Sequence, residues 1–433
     1  MQQSLVLTSA LFAGLIASAM PASAQGGTNF VGGVYAMANG FNGNSVVAYG
    51  RSADGTLTFL EEQPTGGDGA AFDGGEGLDP LISAYALNIT EDHSYVLAVE
   101  AGSNSIAAMR VESDYTLTVT SRARTGAVGP NSIAIFGDLV YVSNIDADGQ
   151  FNGEPDQEGS VRGFRLSPGG DLTVIPQSDR VLGNRPSAVE FSPDGRFLVV
   201  TSINSGSSAL VSGSEDELVV YRVRPDGRLS AQPTAAATST LRDNPQGRNL
   251  PSAIGFDIVE QAGRQIVVVT EAREFQSDGT PPAFPALQTG SVSTWILNGD
   301  GTLTPLQLDV LAGNDFFDGE RTACWIQFSP DNEYFWVSNA LDASLSSYSF
   351  TGGIATLVNL LEATGDGPQP GDPFGTTDGW IDLWASADGQ FIYQLYGLDG
   401  TIGVFSVNGP TLTLVEEVSG TLPDVNTQGI VAF

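Results

Sequence analysis

The chain repeats one short pattern of apolar strands along its whole length, and this repeat limits the possible folds more than any other feature. The stretch FSPDGRFLVVTS begins at Phe191, and a close copy, FSPDNEYFWVSN, begins at Phe328. Each copy is typical of a β-strand, a tight turn and a second strand. Versions of the first strand occur at 82–88, 131–137, 186–192, 251–257, 323–329, 379–385 and 427–433.

Three more strand-like segments follow every copy of the first strand except the last. They are rich in β-branched and aromatic residues and are separated by Gly, Asp and Asn turns, which favours antiparallel strands over helices. Four-stranded units that recur in this way are typical of the blades of a β-propeller. The sequence therefore predicts an all-β fold of four-stranded antiparallel blades.

The two ends of the chain predict how the ring of blades closes. GGVYAMAN, NSVVAYGR and GTLTFLEE, near the N-terminus, supply strands two, three and four without a first strand. The C-terminal TQGIVAF is a first strand with nothing after it. Joining the two ends completes one blade and leaves no exposed sheet edge. We expect a single domain, residues 25–433, that forms a seven-bladed β-propeller.

The N-terminal stretch, residues 1–24, is typical of a secretory signal peptide. An apolar run from Leu5 to Ala19 precedes the small-residue cleavage pattern Ala-Ser-Ala at 22–24. Pro21 interrupts the run, whereas a membrane anchor needs about 18–20 continuous apolar residues. We therefore expect a secreted protein, extracellular or periplasmic.

The charge of the chain limits its partners. The 50 acidic residues outnumber the 17 basic ones, which are all Arg, and the formal net charge is −33. Such a chain repels nucleic acids and anionic membranes. We expect a monomer that binds a small-molecule ligand, no nucleic acid and no membrane. A single cysteine, Cys324, means that no disulfide stabilises the chain internally.

Loop lengths predict that the two faces of the propeller differ. Turns between strands one and two, and between strands three and four, are short, as in SPDG and SADG, and define what we call the plain face. The other connections define the elaborated face and are long, at 64–79, 145–158, 203–215, 232–250, 272–289, 309–321 and 362–378. Because long loops on a rigid scaffold commonly carry function, we expect the site at the mouth of the central channel on the elaborated face.

Polar residues at strand ends on the elaborated face form the candidate site. Arg185 and Arg321 would hold a carboxylate or a developing oxyanion, and Glu271 would act as general base or acid. Four further residues are candidates for substrate binding: Asp79, Asn131, Asn144 and Asn339. The alternative is that these polar side chains cap turns and satisfy the backbone of the loops.

One acidic connection is a candidate calcium site. NIDADGQFNGEPDQEG places Asp146, Asp148 and Asp156 in one short stretch, and Ca²⁺ prefers oxygen ligands of this kind. The spacing differs from that of an EF-hand. The alternative is an acidic loop that is simply solvated, and no cofactor is otherwise required.

The repeats resemble the seven-bladed β-propeller lactonase family, which includes 6-phosphogluconolactonase-like and carboxymuconate-cyclase-like proteins. The resemblance covers nearly all of the mature chain and rests on GPNSIAIFGDLVYVSN, VEFSPDGRFLVVTS, ACWIQFSPDNEYFWVSN and SADGQFIYQLYGLDGTIGVFSV. The resemblance implies an enzyme at the channel mouth that either hydrolyses a lactone or forms one by cycloisomerisation.

The family's usual catalytic histidine is missing. At the corresponding starts of first strands, the chain has Asn131-Ser132 and Pro186-Ser187, and its one histidine, His93, lies in a turn of the plain face. Two functions therefore stay open. One is an enzyme acting on a small lactone or related carboxylic acid, and the other is a non-catalytic extracellular binding or scaffold propeller.

Overall fold

A computed structural model describes residues 29–71, 78–146, 158–203, 216–241, 243–273, 287–365 and 378–433. The predicted signal peptide lies outside the described residues, and so do Asp148 and Asp156 of the predicted calcium site. None of the helices among the described residues is long and apolar enough to cross a membrane.

The described chain forms seven antiparallel sheets of four or five strands, which are the seven blades predicted from the repeats, and one small two-stranded sheet. Blade 1 contains β1 (Gly32–Met37), β2 (Ser45–Arg51) and β3 (Leu57–Pro64). Blade 2 contains β4 (Leu87–Ile89), β5 (Tyr95–Glu100), β6 (Ser105–Val111) and β7 (Leu117–Arg124). Blade 3 contains β8 (Val128–Phe136), β9 (Leu139–Asp146), β10 (Ser160–Leu166), β11 (Leu172–Val174) and β12 (Arg180–Val181).

The remaining blades follow in chain order. Blade 4 contains β13 (Arg185–Phe191), β14 (Phe197–Ile203), β15 (Leu218–Arg222) and β16 (Ala235–Ala237). Blade 5 contains β17 (Ala253–Gln261), β18 (Arg264–Glu271), β19 (Ser291–Leu297) and β20 (Leu303–Leu311), and a small hairpin of β21 (Gly313–Asp315) and β22 (Asp318–Gly319) comes next. Blade 6 contains β23 (Ala323–Phe328), β24 (Tyr334–Asn339), β25 (Ser344–Thr351) and β26 (Ile354–Thr364). Blade 7 contains β27 (Trp380–Ala385), β28 (Phe391–Tyr396), β29 (Thr401–Asn408) and β30 (Thr411–Val418). Short 3₁₀ helices span Ala101–Ser103 and Ala340–Asp342.

The ring closes as predicted from the two ends of the chain. The C-terminal strand β31 (Ile430–Ala432) pairs antiparallel with β1, so the sheet order of blade 1 is β3-β2-β1-β31. Tyr35 faces Val431 across this pair, and both residues are fully buried. Closure between the two ends of the chain therefore removes a sheet edge that would otherwise be exposed.

The core lies between the faces of neighbouring blades. Strands such as β5, β14 and β28 are buried at every residue, because other blades cover both faces of their sheets. The outermost strands, such as β3, have exposed and half-buried residues along their length. A strand buried on both faces reads as a continuous apolar run, which is why the repeats contain segments such as FLVV rather than strict alternation.

The structure differs from the predicted strands in three places. The first strand of blade 2 was predicted over 82–88 but is only β4, because Ile82 and Tyr85 have positive φ angles of 49° and 61°. The fourth strand of blade 4, β16, spans Ala235–Ala237 and so lies within the connection predicted over 232–250. The hairpin of β21 and β22 forms within a connection that was predicted to be a loop.

Candidate functional site

Polar residues at or near the ends of the second strands pair with the residue that starts the third strand of the same blade. Asn144 faces Ser160, Asn339 faces Ser344, and Glu271 faces Ser291 in the strand registers. Glu100 of blade 2 faces Ser105 in the same way. These polar residues therefore occupy one repeated position in different blades, at the end of a second strand and not on the first strands that surround the channel.

The predicted substrate-binding asparagines are fully buried and bound to the scaffold. Asn144 donates to the Ser160 hydroxyl at 3.4 Å, and Asn339 donates to the Ser344 and Ser346 hydroxyls at 3.1 and 2.8 Å. Asn131 donates to the backbone oxygen of Pro186 at 2.9 Å and accepts from the Ser143 hydroxyl. All three asparagines are 0% exposed. A role for them in binding stays a prediction.

Glu271 lies in a closed ionic cluster. Its carboxylate accepts hydrogen bonds from the guanidinium of Arg273 and the hydroxyl of Ser291, and its side chain is 0% exposed. Burial alone would raise the pKa of Glu271, but the charge of Arg273 and the neighbouring hydroxyls hold it below its usual value. In this arrangement Glu271 is an anchored carboxylate without contact to solvent.

The two predicted arginines lie at the first strands of different blades. Arg185 begins β13 of blade 4, and Arg321 lies just before β23 of blade 6. Arg321 forms an ion pair with Asp342, with Nε 3.0 Å from Oδ1, and the backbone N–H of Arg321 donates to the same carboxylate. The Arg321 side chain is 17% exposed, so part of it faces solvent on the elaborated face.

A carboxyl group that the sequence analysis did not select lies beside Arg321. Glu320 is partly exposed and accepts a hydrogen bond from the Ser344 hydroxyl. The pKa of Glu320 is raised to about 7, because burial and the negative charge of Asp342 outweigh the opposing effects of Ser344 and Arg321. A carboxyl group with a pKa near neutral is suited to exchange protons at physiological pH. The available signal was its position next to Arg321 and just before a first strand.

The backbone beside this pair is strained. Thr322 is buried and has a φ angle of 60°, a conformation that β-branched residues rarely adopt. Its hydroxyl is also one of the buried polar groups without a hydrogen-bond partner among the described residues. Strain of this kind is concentrated at functional sites, although it also occurs elsewhere.

An open cleft borders the hairpin that leads to Glu320. The cleft has a volume of about 510 Å³ and is lined by Leu311, Asn314, Asp315, Phe316 and Phe317. The backbone N–H of Glu320 donates to Ala312, next to this lining, at 2.8 Å. Clefts of similar volume lie between blades 3 and 4 and on the plain face between blades 2 and 3. The cleft beside the hairpin is lined by residues 311–317, which come just before Glu320 and Arg321 in the chain.

The central channel is crossed by the segment that precedes β4. Asp79 anchors this segment by accepting hydrogen bonds from the Gln428 side chain at 2.6 Å and from the backbone N–H of Ser83. The segment contacts a residue in or next to the first strand of every other blade: Gln428, Asn131, Ser187, Phe256, Trp325 and Trp384. A segment that reaches six first strands must occupy the centre of the ring. The predicted open mouth of the channel is therefore filled at this level.

Three acidic side chains of the first strands surround Tyr85 of this segment. They are Glu190, Asp257 and Asp382, and each raises the pKa of the Tyr85 hydroxyl after burial itself. Burial raises the pKa of Asp257 to about 6 and that of Asp382 to about 7, and it raises the pKa of Glu190 well above its usual value. The pKa values of the three carboxyl groups are raised because burial disfavours their charged forms.

The calcium prediction is tested only in part by the described residues. Asp146 ends β9 and is 2% exposed, while the other two predicted ligands lie outside the described ranges. Within those ranges, no group of three or more His, Cys, Asp and Glu side chains is arranged to hold a metal ion. A calcium site in this connection stays a prediction.

Comparison with solved structures confirms the fold predicted from the repeats. A protein of Bacteroides uniformis, provisionally named a 6-phosphogluconolactonase, superposes with a TM-score of 0.60 at 16% identity, over 92% of this chain and 99% of its own. The periplasmic gluconolactonase of Pseudomonas aeruginosa has a TM-score of 0.52 at 20% identity, over 75% of this chain and 83% of its own.

The fold is also shared with a protein of another name. A hypothetical selenium-binding protein of Sulfolobus tokodaii has a TM-score of 0.60 at 10% identity, over 93% of each chain. No protein-family model matches this chain, and no curated protein matches it in sequence. At these identities the likeness establishes a seven-bladed propeller, and the chemistry has to be argued from the residues.

Proposed function

We propose that the protein is a lactonase-like enzyme that acts on a small lactone or a related carboxylic acid on the elaborated face. One observation carries the proposal: a partly exposed carboxyl group with a pKa of about 7, Glu320, lies near the guanidinium of Arg321 and directly follows the hairpin that borders an open cleft. A base that can change protonation near pH 7 and a fixed positive charge are two groups that can catalyse lactone hydrolysis.

The two residues would divide the reaction between them. Deprotonated Glu320 takes a proton from water, and the resulting hydroxide attacks the carbonyl carbon of the lactone. The guanidinium of Arg321 stabilises the negative oxygen that forms. When the ring C–O bond breaks, protonated Glu320 returns its proton to the leaving alkoxide, and a hydroxy acid results. The same groups acting in reverse would close a hydroxy acid to a lactone with release of water. Cycloisomerisation is the alternative reaction, in which a carboxylate of the substrate adds to a C=C bond and protonated Glu320 delivers its proton to the neighbouring carbon.

The charges around the site favour a neutral substrate. Asp342 lies close to Glu320, and Asp315 lines the cleft. The whole chain carries a formal charge of −33. A phosphorylated or multiply acidic ligand would be repelled unless a cation compensated its charge. We therefore favour an uncharged or weakly acidic lactone as the substrate. A monomeric protein with a secretory signal would meet such a compound outside the cytoplasm.

Replacement of Glu320 tests the proposal. The Glu320→Gln variant should lose about 10²- to 10⁴-fold in kcat on a lactone that the wild type hydrolyses, because the amide cannot accept the proton of water. In the wild type, kcat/KM should rise as the pH increases through about 7, where Glu320 becomes deprotonated. Hydrolysis is followed across a panel of aldonolactones and simple γ- and δ-lactones.

The control for this variant is Glu333→Gln, in an exposed plain-face turn of the same blade. It should retain the kcat and the melting temperature of the wild type. Full activity of Glu320→Gln, with the pH profile unchanged, would show that Glu320 is not the base.

A second candidate is supported by the closed centre of the ring. Residues 79–86 fill the channel and the predicted asparagines are buried, so these asparagines are not accessible to a ligand. We propose as the alternative a non-catalytic binding or scaffold propeller that uses the same face. The absence of wild-type turnover on the whole lactone panel, together with saturable binding of a panel member, would favour it.

Calcium binding is proposed for the connection that contains Asp146, Asp148 and Asp156. A bound ion stabilises the folded state alone, so EDTA should lower the melting temperature and added Ca²⁺ should restore it. Calorimetry with the Asp148→Asn/Asp156→Asn double variant is the control, since this variant should not respond to EDTA. An unchanged wild-type melting temperature in EDTA would remove calcium from the account.

A further inference from the structure

A buried ionic cluster joins blades 4 and 5 on the elaborated side. At its centre, Arg273 is 0% exposed and has a φ angle of 60°. Its guanidinium donates to the hydroxyls of Ser239 and Thr240 at 2.9 and 2.6 Å and to the backbone oxygen of Asn249 at 2.9 Å. It also donates to the hydroxyl of Ser291 at 3.0 Å and to the carboxylate of Glu271. The guanidinium N–H groups of Arg273 thus donate to groups of the protein itself.

Two fully buried carboxyl groups in this cluster each have one oxygen without a hydrogen-bond donor. Oε2 of Glu217 accepts from the backbone N–H of Ser239 at 2.8 Å, and Oε2 of Glu271 accepts from Arg273 and Ser291. No described residue donates to Oε1 of either carboxyl group. Leaving two such oxygens unsatisfied in the interior would cost free energy, so they need an explanation.

The position of the two side chains supplies one explanation for both oxygens. Glu217 and Glu271 are linked through Ser239 and Arg273: the backbone N–H of Ser239 donates to Glu217, and Arg273 donates both to the hydroxyl of Ser239 and to Glu271. Neither carboxyl group is exposed to water. Two carboxylates cannot hydrogen-bond without a proton, because an ionised carboxylate only accepts. A single proton between the two groups turns one of them into a donor and satisfies both oxygens.

The charges of the cluster also require one neutral carboxyl group. Two guanidinium groups are present, those of Arg248 and Arg273, and Arg248 pairs with Asp309 at 2.9 Å. Arg273 pairs with Glu271 and lies 3.2 Å from Asp309. Two positive charges are therefore balanced by Glu271 and Asp309, and Glu217 is a third carboxyl group for which no cation remains within the described cluster.

We propose that Glu217 and Glu271 share one proton, which Glu217 carries, and that this carboxyl pair is a pH-sensitive latch between the third strand of blade 4 and the second strand of blade 5. Glu217 directly precedes β15 and Glu271 ends β18, so the shared proton joins two blades. Removal of the proton places two negative charges in contact inside the protein and weakens the joint.

The direction of the pH effect follows from the environment of Glu217. Burial raises its pKa well above the usual value, the charge of Glu271 raises it further, and the charge of Arg273 opposes this. The folded chain therefore keeps a proton that the unfolded chain loses above a pH of about 4.5. The latch contributes its full stability at acidic pH, and this contribution declines as the pH rises towards the pKa of Glu217 in the folded state.

The Glu217→Gln variant tests the latch, because its amide keeps a donor towards Glu271 but cannot ionise. Chemical unfolding is measured from pH 5 to 9 for the wild type and the variant. At pH values below the pKa of the pair, the unfolding constant of the wild type should rise more steeply with pH than that of Glu217→Gln. The difference should be up to about tenfold per pH unit, which is the effect of one proton. Infrared difference spectra between the two at neutral pH should contain the carbonyl band of a protonated carboxylic acid.

The matched control is Glu100→Gln, at the equivalent strand end of blade 2. Glu100 is also fully buried and is bound by Arg122 and Ser105, and among the described residues no second carboxyl group is hydrogen-bonded to these partners. This variant should lower stability by a similar amount at each pH from 6 to 9. Equal pH slopes for wild type and Glu217→Gln, a missing carboxylic acid band, or failure of Glu217→Gln to fold would each overturn the proposal.

Discussion

A chain that lacks residues 426–433 should lose cooperative folding. Ile430, Val431 and Ala432 are buried and form the first strand of blade 1, where they pair with β1. Burial of Ile or Val contributes about 1.5–3 kcal/mol per side chain, and whole domains are stable by only about 5–15 kcal/mol. Loss of this strand therefore removes a large part of the free energy of unfolding.

The same eight residues also hold other blades together. The side chain of Gln428 accepts from the backbone N–H of Leu81 at 2.8 Å and donates to the backbone oxygen of Ser83 at 2.7 Å, which fixes the segment that fills the channel. The backbone N–H of Gly429 donates to Asp382 of blade 7. Truncation would leave these buried groups unpaired and open an edge along β1, so we expect aggregation as well as instability.

Thermal and urea unfolding of the purified truncated chain, followed by circular dichroism, measures this loss. Addition of a synthetic peptide with the sequence of residues 426–433 should restore part of the cooperative transition, because a free strand can pair with an exposed sheet edge. A peptide of scrambled sequence is the control. A truncated chain with the melting temperature of the wild type would show that the ring does not depend on this closure.

The sequence alone was sufficient to predict the blades. Each blade is a local unit whose strands are short apolar segments between turn residues, and turns such as the one at Ser192–Gly195 form from neighbouring residues. The missing first strand at one end and the extra one at the other predicted the closure with β31, and the structure confirms it. Information of this kind is local and repeats, so it can be read without knowledge of tertiary contacts.

The segment that fills the channel could not be predicted in this way. It contains ISAYALN, which has the pattern of a first strand, but Ile82 and Tyr85 adopt positive φ angles. These conformations are compensated by contacts with the first strands of other blades, such as the hydrogen bond from Trp325 to Ser83. Such contacts join residues up to hundreds of positions apart, and local propensity gives no sign of them.

The candidate site shows the same limit. The rule that polar residues end second strands on the elaborated face was correct, but in Asn144, Asn339 and Glu271 it selected residues that pair with the start of the next strand. Glu320 was not selected because its raised pKa depends on burial and on Asp342, twenty-two residues later in the chain. Position in the repeat predicts where a side chain lies, and its partners decide what it can do.

The free energy of unfolding should fall as the pH rises from 5 to 8. Three carboxyl groups on the first strands, Glu190, Asp257 and Asp382, have pKa values raised by burial, to about 6 for Asp257 and about 7 for Asp382. In the unfolded chain an aspartate loses its proton near pH 3.9. The folded state therefore binds more protons than the unfolded state in this range, which makes stability decrease with increasing pH.

The pH window in which stability falls is set, for each carboxyl group, by its pKa in the unfolded chain and its pKa in the folded chain. Asp382 contributes its full stability below its unfolded pKa, and the contribution is lost progressively as the pH rises through about 7. Within that window one proton is worth up to about 1.4 kcal/mol per pH unit. Acidic groups on the surface act in the opposite direction only at lower pH; for example, hydrogen bonds from Thr90 and Ser94 lower the pKa of Asp92.

Urea unfolding at pH 5, 6, 7 and 8 measures the slope, and the Asp382→Asn variant assigns it. Asp382 is 5% exposed and accepts from the backbone N–H of Gly429, which an asparagine oxygen can also do. The variant should have a shallower slope by about one proton and should exceed the wild type in stability at pH 8, where the aspartate carries a buried charge. The Asp92→Asn control should keep the wild-type slope over this range. A wild-type stability that rises from pH 5 to 8 would mean that the first-strand carboxyl groups are ionised in the folded protein. Groups other than the three acidic side chains around Tyr85 would then compensate their charges.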